Sequence, residues 1–286
     1  MIVLDTADEL RSWVNKLRSG HKGIGFVPTM GNLHRGHMRL VETALERNDT
    51  VICSIFINPL QFGPEEDLET YPRSPEQDHA SLQAAGCHGL FLPSVIEIYG
   101  GSLKDHTSIH VPGLSDVLCG KSRPDHFDGV ATVVAKLFNL VRPDDAYFGL
   151  KDYQQFLIIQ KMVRDLALPV QLLGVETVRE RTGLAMSSRN NYLDPKQREQ
   201  ATAIYQTLSR CAESIRAGAR NYDQLERESV TAIAAAGLRP DYFAVCAAST
   251  LRRATVADDE LVILAAAYIG RNRLIDNLRL TLTQTA

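Results

Sequence analysis

Short apolar runs alternate with amphipathic segments between residues 23 and 176. The runs at residues 24–27 and 50–57 are nearly continuous and rich in β-branched side chains. Such runs are typical of parallel strands that are buried on both faces of a sheet. Three further runs predict strands of the same sheet, at residues 88–92, 146–148 and 170–175.

The segments between these runs carry helical patterns. Apolar side chains recur at helical spacing at Leu40, Val41, Ala44 and Leu45, and again at Val130, Val133, Val134, Leu137, Phe138 and Val141. Ser74 as N-cap, Pro75 at N1 and Gln77 at N3 predict the start of a helix that stops at Gly86, and residues 151–166 predict another. Strands alternating with helices predict an α/β fold with a Rossmann-like, doubly wound parallel sheet.

The order of elements changes in the second half of the chain. Asp194 and Asp223 predict the starts of two helices, which end near Ala217 and Gly237. Strand-like runs follow at residues 241–248, 261–268 and 273–282. Helices followed by strands favour a smaller α+β domain with an antiparallel sheet. We therefore predict one domain over residues 1–176 and a second over residues 177–286, closing over the site.

The charge, the cysteine content and the hydrophobic pattern of the chain argue against several classes of protein. The net charge of −3 over 286 residues disfavours a long nucleic acid as partner. Five scattered cysteines without a CxxC spacing argue against a disulfide framework and a structural zinc site. The first residues lack the pattern of a signal peptide, and no apolar stretch approaches the length of a membrane span. We expect a soluble, cytoplasmic protein without a membrane partner.

The strongest chemical signal is His34-Arg35-Gly36-His37, directly after the first predicted strand and at the mouth of a predicted helix. A helix N-terminus offers unpaired N–H groups and a positive dipole end, which suit a phosphate. Gly31 and Gly36 allow a ligand to approach the backbone closely. The alternative is a pair of solvated or core histidines in a turn, but the position after a strand favours a nucleotide site.

A second signal lies far downstream, at Met186-Ser187-Ser188-Arg189. It offers a fixed cation and two hydroxyls on a polar loop, which suit a triphosphate. Alone it would indicate only a surface loop. Together with the histidine motif it resembles the HIGH and KMSKS signatures of the nucleotidylyltransferase and class I aminoacyl-tRNA synthetase superfamily.

Two further loops follow predicted strands, where α/β sheets bind their ligands. Lys151 and Asp152 stand at a strand-to-helix junction and could contact a phosphate, a ribose hydroxyl or the shell of a magnesium ion, although the same pattern fits an ordinary helix start. Asn58 and Gln61 follow the second strand and are candidate substrate donors. Residues 123–129 form a third polar segment before an apolar helix.

Seven motifs occur in order along the chain: PTMGNLHxGH, FxNPxQF, YPR, RPxHFxGV, FGxKDxQQ, MSSRNxYL and RLIDN. In content and order they resemble the pantoate–β-alanine ligase family over essentially the whole chain. The resemblance implies that ATP first adenylates the carboxylate of pantoate and releases pyrophosphate, and that the amine of β-alanine then displaces AMP. It also implies Mg²⁺, with no protein ligand identified, and a homodimer.

The resemblance also implies roles for single residues. The implied ATP site consists of Met30, Gly31, Asn32, Leu33, His34, Arg35, Gly36, His37, Gly149, Leu150, Lys151, Asp152, Val178, Met186, Ser187, Ser188 and Arg189. His34 and His37 would contact the phosphates, with His37 as candidate acid. Gln61 and Gln155 would hold pantoate, and β-alanine would pass Gln61.

Three positions depart from the family pattern. Arg35 stands where an acidic residue is common, Asp125 where glycine is common and Leu150 where glutamate is common. We expect Arg35 to face solvent. None of the three is a residue to which we assign chemistry.

The central problem of carboxylate adenylation is charge, because two anions must meet. We expect the two histidines, Lys151, Arg189 and Mg²⁺ to neutralise that charge. A nucleotidylyltransferase that acts on a phosphate-bearing acceptor would need extra cations near the uncharged 58–63 loop. A tRNA synthetase is disfavoured by length and charge. A regulator that lost catalysis would tolerate loss of His37, Lys151 or Arg189, yet all three are present.

Overall fold

The computed structural model describes residues 1–64, 66–103 and 105–282. It confirms the predicted α/β fold. Six parallel strands form one sheet in the order β1-β4-β3-β2-β5-β6. They are β1 (Ile2–Leu4), β2 (Ile24–Thr29), β3 (Thr50–Ile55), β4 (Gly89–Phe91), β5 (Asp145–Gly149) and β6 (Gln171–Val175).

Helices cover both faces of this sheet. In the first part of the chain they are α1 (Ala7–Ser19), α2 (Arg35–Leu45), α3 (Pro75–Ala84), α4 (Val95–Tyr99), α5 (Cys119–Ser122), α6 (His126–Val141) and α7 (Tyr153–Asp165). Helices α1, α6 and α7 share one hydrophobic cluster with one face of the sheet. Helices α2 and α3 share another cluster with the opposite face. The sheet is therefore buried on both sides, as its continuous apolar strands predict.

From β2, the strands β3 and β4 are added on one side of the sheet, and β5 and β6 are added on the other. Strand β2 pairs with β3 on one side and with β5 on the other, for example Phe26 with Ile52 and with Ala146. The crevice above the carboxyl ends of β2 and β5 is thus the topological switch point, where open α/β sheets bind ligands. The loop after β2 and the start of α2 carry His34 to His37, and the turn after β5 carries Lys151.

The second part of the chain contains two helices and a three-stranded antiparallel sheet, as predicted. The elements are α8 (Pro195–Arg216), α9 (Tyr222–Ala235), β7 (Arg239–Ala247), β8 (Glu260–Ile269) and β9 (Asn272–Thr281). One face of this sheet packs on α8 and α9. Its other face contributes Val262 and Leu264 to the cluster of α6 and α7, so the two parts share buried surface. The division after residue 176 stays a prediction.

Several local predictions were incomplete or wrong. Neither β1 nor α1 is among the elements predicted from the sequence, although α1 begins with a capping box between Thr6 and Glu9. Helix α9 is capped by Asn221 rather than Asp223, because the Asn221 side chain accepts the N–H of Gln224 at 3.2 Å. Ser74 precedes α3, but its hydroxyl donates to Asp78 at 3.0 Å instead of capping the helix.

The structure accounts for two of the three positions that depart from the family pattern. Arg35 is exposed, as expected. Asp125 directly precedes α6 and has φ of 63° and ψ of −6°, which lies in the left-handed region. Glycine adopts this conformation without steric cost, and aspartate tolerates it better than bulkier residues do. The backbone itself thus explains why glycine suits this position.

Candidate active site

A cavity opens at the switch point, above the carboxyl ends of β2 and β5. Its wall includes most of the residues that the sequence analysis selected: Met30, His34, Gly36, His37, Gln61, Gly149, Lys151, Asp152, Gln155, Val178, Met186, Ser187, Ser188 and Arg189. These residues come from five separate stretches of the chain. The fold therefore brings the two distant signature motifs to one place.

Six selected residues do not line this cavity: Gly31, Asn32, Leu33, Arg35, Asn58 and Leu150. Gly31 and Asn32 make the turn after β2, with φ of 81° and 49°. The N–H groups of Asn32 and Leu33 donate to the carboxylate of Asp78 at 2.8 and 2.7 Å. Asp78 is only 2% exposed, so a buried anion from α3 fixes the loop that leads to His34.

Asn58 lies behind the cavity wall rather than on it. Its side-chain amide donates to Gln61 Oε1 at 3.2 Å and to the carbonyl of Gly129, and its own oxygen accepts the hydroxyl of Tyr99 at 2.8 Å. The residue is 1% exposed. A side chain with these partners positions Gln61 and is not itself a surface for a substrate.

Leu150, which the resemblance places in the ATP site, is buried at the turn that follows β5. A Cβ atom on Gly174 of β6 would lie 2.5 Å from Leu150 Cδ2, which shows how closely this side chain packs on the sheet. Leucine therefore anchors the turn through apolar contact, and its neighbours Gly149, Lys151 and Asp152 line the cavity. The departure from glutamate at this position is accommodated by the core.

His34 and His37 stack, with ring centroids 4.0 Å apart and an interplanar angle of 27°. His34 is the N-cap of α2, and its Nδ1 accepts the N–H of Gly36 at 3.1 Å. The Nδ1 atom of His37 accepts the N–H of His34 at 3.3 Å. Because both Nδ1 atoms are acceptors, each neutral ring carries its proton on Nε2. The two Nε2–H groups are the donors left for a ligand.

Both histidines are neutral at pH 7 in this cavity. Burial, reinforced by the charge of Lys151, lowers the pKa of His34 to about 4. Burial, together with His34 and Lys151, lowers the pKa of His37 to about 3. That the two histidines neutralise charge on the phosphates stays a prediction, which for the protein on its own would rest on hydrogen bonds from neutral rings. They are preorganised neutral hydrogen-bond donors, and the fixed positive charges of the cavity lie elsewhere.

Lys151 and Arg189 supply two of those charges. The Lys151 side chain is 17% exposed, and its ammonium lies 3.6 Å from Asp152 Oδ1. Arg189 holds Asp67 through two bonds, Nη2 to Oδ1 at 2.8 Å and Nε to Oδ2 at 3.2 Å. Burial alone lowers the pKa of Arg189, but the Asp67 carboxylate more than offsets this, so the guanidinium stays charged.

Arg123 and His126 belong to one of the seven motifs, but the sequence alone predicts no role for them. Arg123 forms a fork with Glu66 at 2.6 and 2.5 Å and donates to His126 Nε2 at 2.9 Å. His126 Nδ1 in turn donates to the carbonyl of Gln61 at 2.7 Å. Burial and the adjacent Arg123 lower the pKa of His126 to about 3. This chain of contacts ends on the backbone of Gln61 and holds it in place.

Gln154 and Gln155 have opposite surroundings although they are neighbours on α7. Gln154 is 4% exposed and is bonded to the backbone of the segment before α5, through the carbonyls of Leu114 and Val117 and the N–H of Cys119. Gln155 lines the cavity. Of the two glutamines, only Gln155 is available to a ligand in the cavity, and its contact with pantoate stays a prediction.

Part of the cavity wall is apolar. Its apolar side chains include Phe56 and the helical stripe of α6 at Val130, Val133, Val134 and Leu137. The carboxylates of Asp152 and Glu176 also line the cavity. Within residues 1–64, 66–103 and 105–282, no group of three or more His, Cys, Asp or Glu side chains is placed to hold a metal ion. None of the helices in the same ranges is long and apolar enough to span a membrane.

The sequence matches the model of the pantoate–β-alanine ligase family over residues 2–279. The chain belongs to this family. It is therefore a ligase, as the resemblance implied. Pantothenate synthetase of Pseudomonas aeruginosa is 56% identical over 278 residues, with 97% of this chain and 98% of the relative covered. Pantothenate synthetase of Pseudomonas fluorescens is 54% identical over 286 residues, with both chains covered completely.

Solved structures of the family share the whole fold. Pantothenate synthetase of Thermus thermophilus superposes with a TM-score of 0.91 at 45% identity, with 97% of this chain and 99% of that chain covered. The pantoate–β-alanine ligase of Francisella tularensis, complexed with β,γ-ATP and β-alanine, gives a TM-score of 0.82 at 36% identity. The superposition covers 100% of this chain and 99% of the Francisella tularensis chain.

Proposed function

We propose that this ligase condenses pantoate with β-alanine to form pantothenate, in two steps that use ATP and release pyrophosphate and AMP. One observation carries the proposal. The two signature motifs and Lys151 meet in one cavity, whose wall also includes Gln61, Gln155 and apolar side chains of α6. A cavity that combines candidate phosphate-binding groups with amide and apolar side chains suits a small hydroxy acid that must reach a nucleotide.

The first step joins two anions. A carboxylate oxygen of pantoate attacks the α-phosphorus of ATP, and the bond from that phosphorus to the pyrophosphate oxygen breaks. The carboxylate is already an adequate nucleophile, so the site has to reduce repulsion rather than remove a proton. Lys151 and Arg189 would supply charge, and the Nε2–H groups of His34 and His37 would donate to phosphate oxygens. Each such preorganised donor contributes on the order of 2.7–4 kcal/mol in comparable sites.

The leaving pyrophosphate gains charge as its bond breaks. A neutral His37 with its proton on Nε2 is able to donate a hydrogen bond to that oxygen throughout the step. The approach of a phosphate anion also favours a protonated imidazole, because opposite charge raises a histidine pKa. His37 is thus a candidate acid in the complex even though burial keeps it neutral beforehand.

The amide and apolar side chains of the cavity wall would hold pantoate. Gln61 and Gln155 can both donate to and accept from its hydroxyl and carboxylate oxygens, and Val130, Val133 and Val134 would contact its carbon skeleton. Arg123 is the cation that a phosphate-bearing acceptor would need, but Glu66 already pairs with it through two bonds. This pairing favours an acceptor without a phosphate.

In the second step the amine nitrogen of β-alanine attacks the acyl carbon of the adenylate. The carbon–oxygen bond to AMP breaks, and the amine loses a proton. The acyl group is already activated, so positioning the amine and excluding water are the main tasks. We place the β-alanine path beside Gln61. The Francisella tularensis relative is complexed with β,γ-ATP and β-alanine, which supports a β-alanine site beside the nucleotide site.

We propose Mg²⁺ as the cofactor that accompanies ATP. Magnesium is usually held by substrate phosphates with one or two carboxylates rather than by a full protein cage. Asp152 and Glu176 line the cavity and fit that mode, which would place additional positive charge at the phosphates. We further propose a cytoplasmic homodimer in which residues 177–286 form a domain that closes over the site. The five cysteines are buried and unpaired, which suits a reducing compartment.

Pyrophosphate release from ATP and Mg²⁺ tests the proposal. Pantoate alone should release about one pyrophosphate per active site when product stays bound, and β-alanine should then permit turnover to AMP and pantothenate. β-Alanine without pantoate serves as the control and should release none. Release that required all three substrates together would contradict the adenylate intermediate, and no release under any condition would contradict the ligase.

A further inference from the structure

Asn277 of β9 reaches across to the turn that carries Lys151. Its side-chain Nδ2 donates to the carbonyls of Leu150 at 2.9 Å and of Lys151 at 2.8 Å. An amide NH₂ has two hydrogens, so both donors are used on this one turn. Asn277 is 6% exposed. A buried side chain of the antiparallel sheet thus fixes two consecutive peptide groups next to the parallel sheet.

The preceding residue fixes a second loop. Asp276 is 5% exposed and accepts two bonds from Arg179, at 2.6 and 2.9 Å. The same guanidinium donates to the carbonyls of Asn277 at 3.2 Å and of Gly183 at 3.1 Å. Arg179 therefore connects β9 to the hairpin that leads into Met186.

That hairpin is tightly built. Arg179 pairs with Ala185 in an antiparallel bridge, and the N–H of Met186 donates to the carbonyl of Val178 at 3.0 Å. The Arg179 guanidinium also stacks on the ring of Tyr205, 3.9 Å from its centroid. Because Arg189 follows the hairpin by three residues, an anchored Arg179 defines where the Arg189 segment begins.

A buried ion pair is weak evidence of stabilisation, since apolar residues of similar size often replace one without loss. Burial alone raises the pKa of Asp276, and the bonds from Arg179 oppose that shift. The pair does, however, impose a fixed direction on both partners, which apolar contact does not. The Arg179–Asp276 pair is connected to two loops of the cavity, so its fixed geometry is suited to holding those loops in place.

We propose that Asn277 is a positioning residue for Lys151, and that the Arg179–Asp276 pair positions the segment from Met186 to Arg189. Two adjacent residues of β9 thereby set the spacing of the two cations across the cavity. This inference rests on the proposed function, in which both cations contact the phosphates of ATP. None of the three residues lines the cavity, so they act through Lys151 and Arg189.

Asn277→Leu tests the first half. Leucine has a similar branched shape but cannot donate to the two carbonyls. We expect kcat/KM for ATP to fall about 10- to 100-fold, the range for a displacement near 1 Å of a catalytic group. The matched control is Asn272→Leu, at the first residue of the same strand, which should stay within about twofold of wild type.

Double variants separate positioning from general stability, with the affinity for a non-hydrolysable ATP analogue measured by calorimetry. Asn277→Leu should have no further effect when Lys151 is already methionine, but should keep its full effect when Arg189 is methionine. Arg179→Lys, which keeps the charge and loses the fork, should show the reverse pattern. Equal losses in both backgrounds would indicate a merely structural role and would overturn the inference.

These measurements distinguish a failure of the proposed function from a failure of the positioning role. A wild-type protein that releases no pyrophosphate refutes the proposed function, whereas an active wild type with Asn277→Leu equal to its control refutes the positioning role alone. If the leucine variant does not fold, Asn277→Ser retains one donor and should lose about fivefold in affinity, equivalent to one hydrogen bond. A folded serine variant with wild-type affinity would also overturn the inference.

Discussion

Arg189 is bound to Asp67 through both ends of its guanidinium fork, with Nη2–Oδ1 at 2.8 Å and Nε–Oδ2 at 3.2 Å. Asp67 lies between the Pro59–Gln61 turn and α3, whereas Arg189 belongs to the Ser188–Tyr192 turn. The two segments are 122 residues apart in the chain. The cation that we assign to the triphosphate is therefore already paired, and a phosphate must compete with a carboxylate for it.

Asp67→Asn should strengthen ATP binding. The amide keeps the shape of the side chain but removes the competing charge. A partly exposed pair contributes up to about 1 kcal/mol, so we expect the apparent affinity for ATP to rise up to about fivefold. The measurement is calorimetric titration with a non-hydrolysable ATP analogue. Glu69→Gln removes a charge from an exposed position of the same segment and should change nothing; an Asp67→Asn protein that binds ATP more weakly contradicts the competition.

The neutral state of His34 and His37 predicts a flat pH response. A pKa lowered to about 4 for His34 and about 3 for His37 leaves both rings unprotonated from pH 5.5 upward. The pH dependence of kcat/KM reports the free enzyme, so these rings should not titrate near pH 6.5. Cationic histidines would instead lose their charge, and their benefit, as pH rises through 6.5.

The measurement is the ratio of kcat/KM for ATP between wild type and His37→Gln, taken from pH 5.5 to 8. The ratio removes the titration of ATP itself, which affects both proteins equally. We expect wild type to exceed the variant by a constant factor of about 10²–10³ at every pH, because the neutral donor is present throughout. A ratio that shrinks above pH 6.5 would show that His37 acts as a cation.

The sheet and the positions of the signature motifs could be predicted because their signals are local. Buried parallel strands are continuous apolar runs, and a histidine motif placed directly after β2 defines its own structural context. Strand β1 has only three residues and lies at the sheet edge, which leaves too short a pattern to detect. Helix α1 was missed despite a local signal, the capping box of Thr6 and Glu9.

The buried partners of the site could not be predicted in the same way. Asp78 lies 46 residues from the Asn32 N–H that it accepts, and Asn277 lies 126 residues from Lys151. No sequence spacing indicates such pairs, because the fold alone brings them together. The neutral state of His34 and His37 could not be predicted for a related reason: it depends on burial and on acceptor geometry, neither of which the motif reveals.

Asp78→Asn should destabilise the loop between β2 and α2. The carboxylate accepts the N–H groups of Asn32 and Leu33, whereas an asparagine presents an NH₂ to one of them. Leaving a buried donor without an acceptor costs about 1–3 kcal/mol. We expect that loss in urea unfolding and a higher KM for ATP. Glu76→Gln, on an exposed position of the same helix, should stay within about 0.5 kcal/mol of wild type; equal behaviour of the two variants would rule out the anchoring role.

Gln154 and Gln155 are neighbours on α7, and their alanine variants should separate an effect on substrate binding from an effect on folding stability. Gln155→Ala should raise KM for pantoate about 10- to 100-fold, the loss of a hydrogen bond to a charged group, and leave KM for ATP and the unfolding free energy nearly unchanged. Gln154→Ala should do the opposite. It leaves two carbonyls and one N–H of the segment before α5 without their partner, so we expect a loss of about 3 kcal/mol in urea unfolding.

Each of the two variants is the control for the other, because both remove the same side-chain atoms at adjacent positions. Steady-state kinetics with each substrate varied in turn, together with urea unfolding of both proteins, gives the four quantities required. The pantoate pocket lies where we place it only if Gln155→Ala affects KM for pantoate far more than Gln154→Ala does. A Gln155→Ala protein with unchanged KM for pantoate and raised KM for ATP would mean that the hydroxy acid binds elsewhere in the cavity.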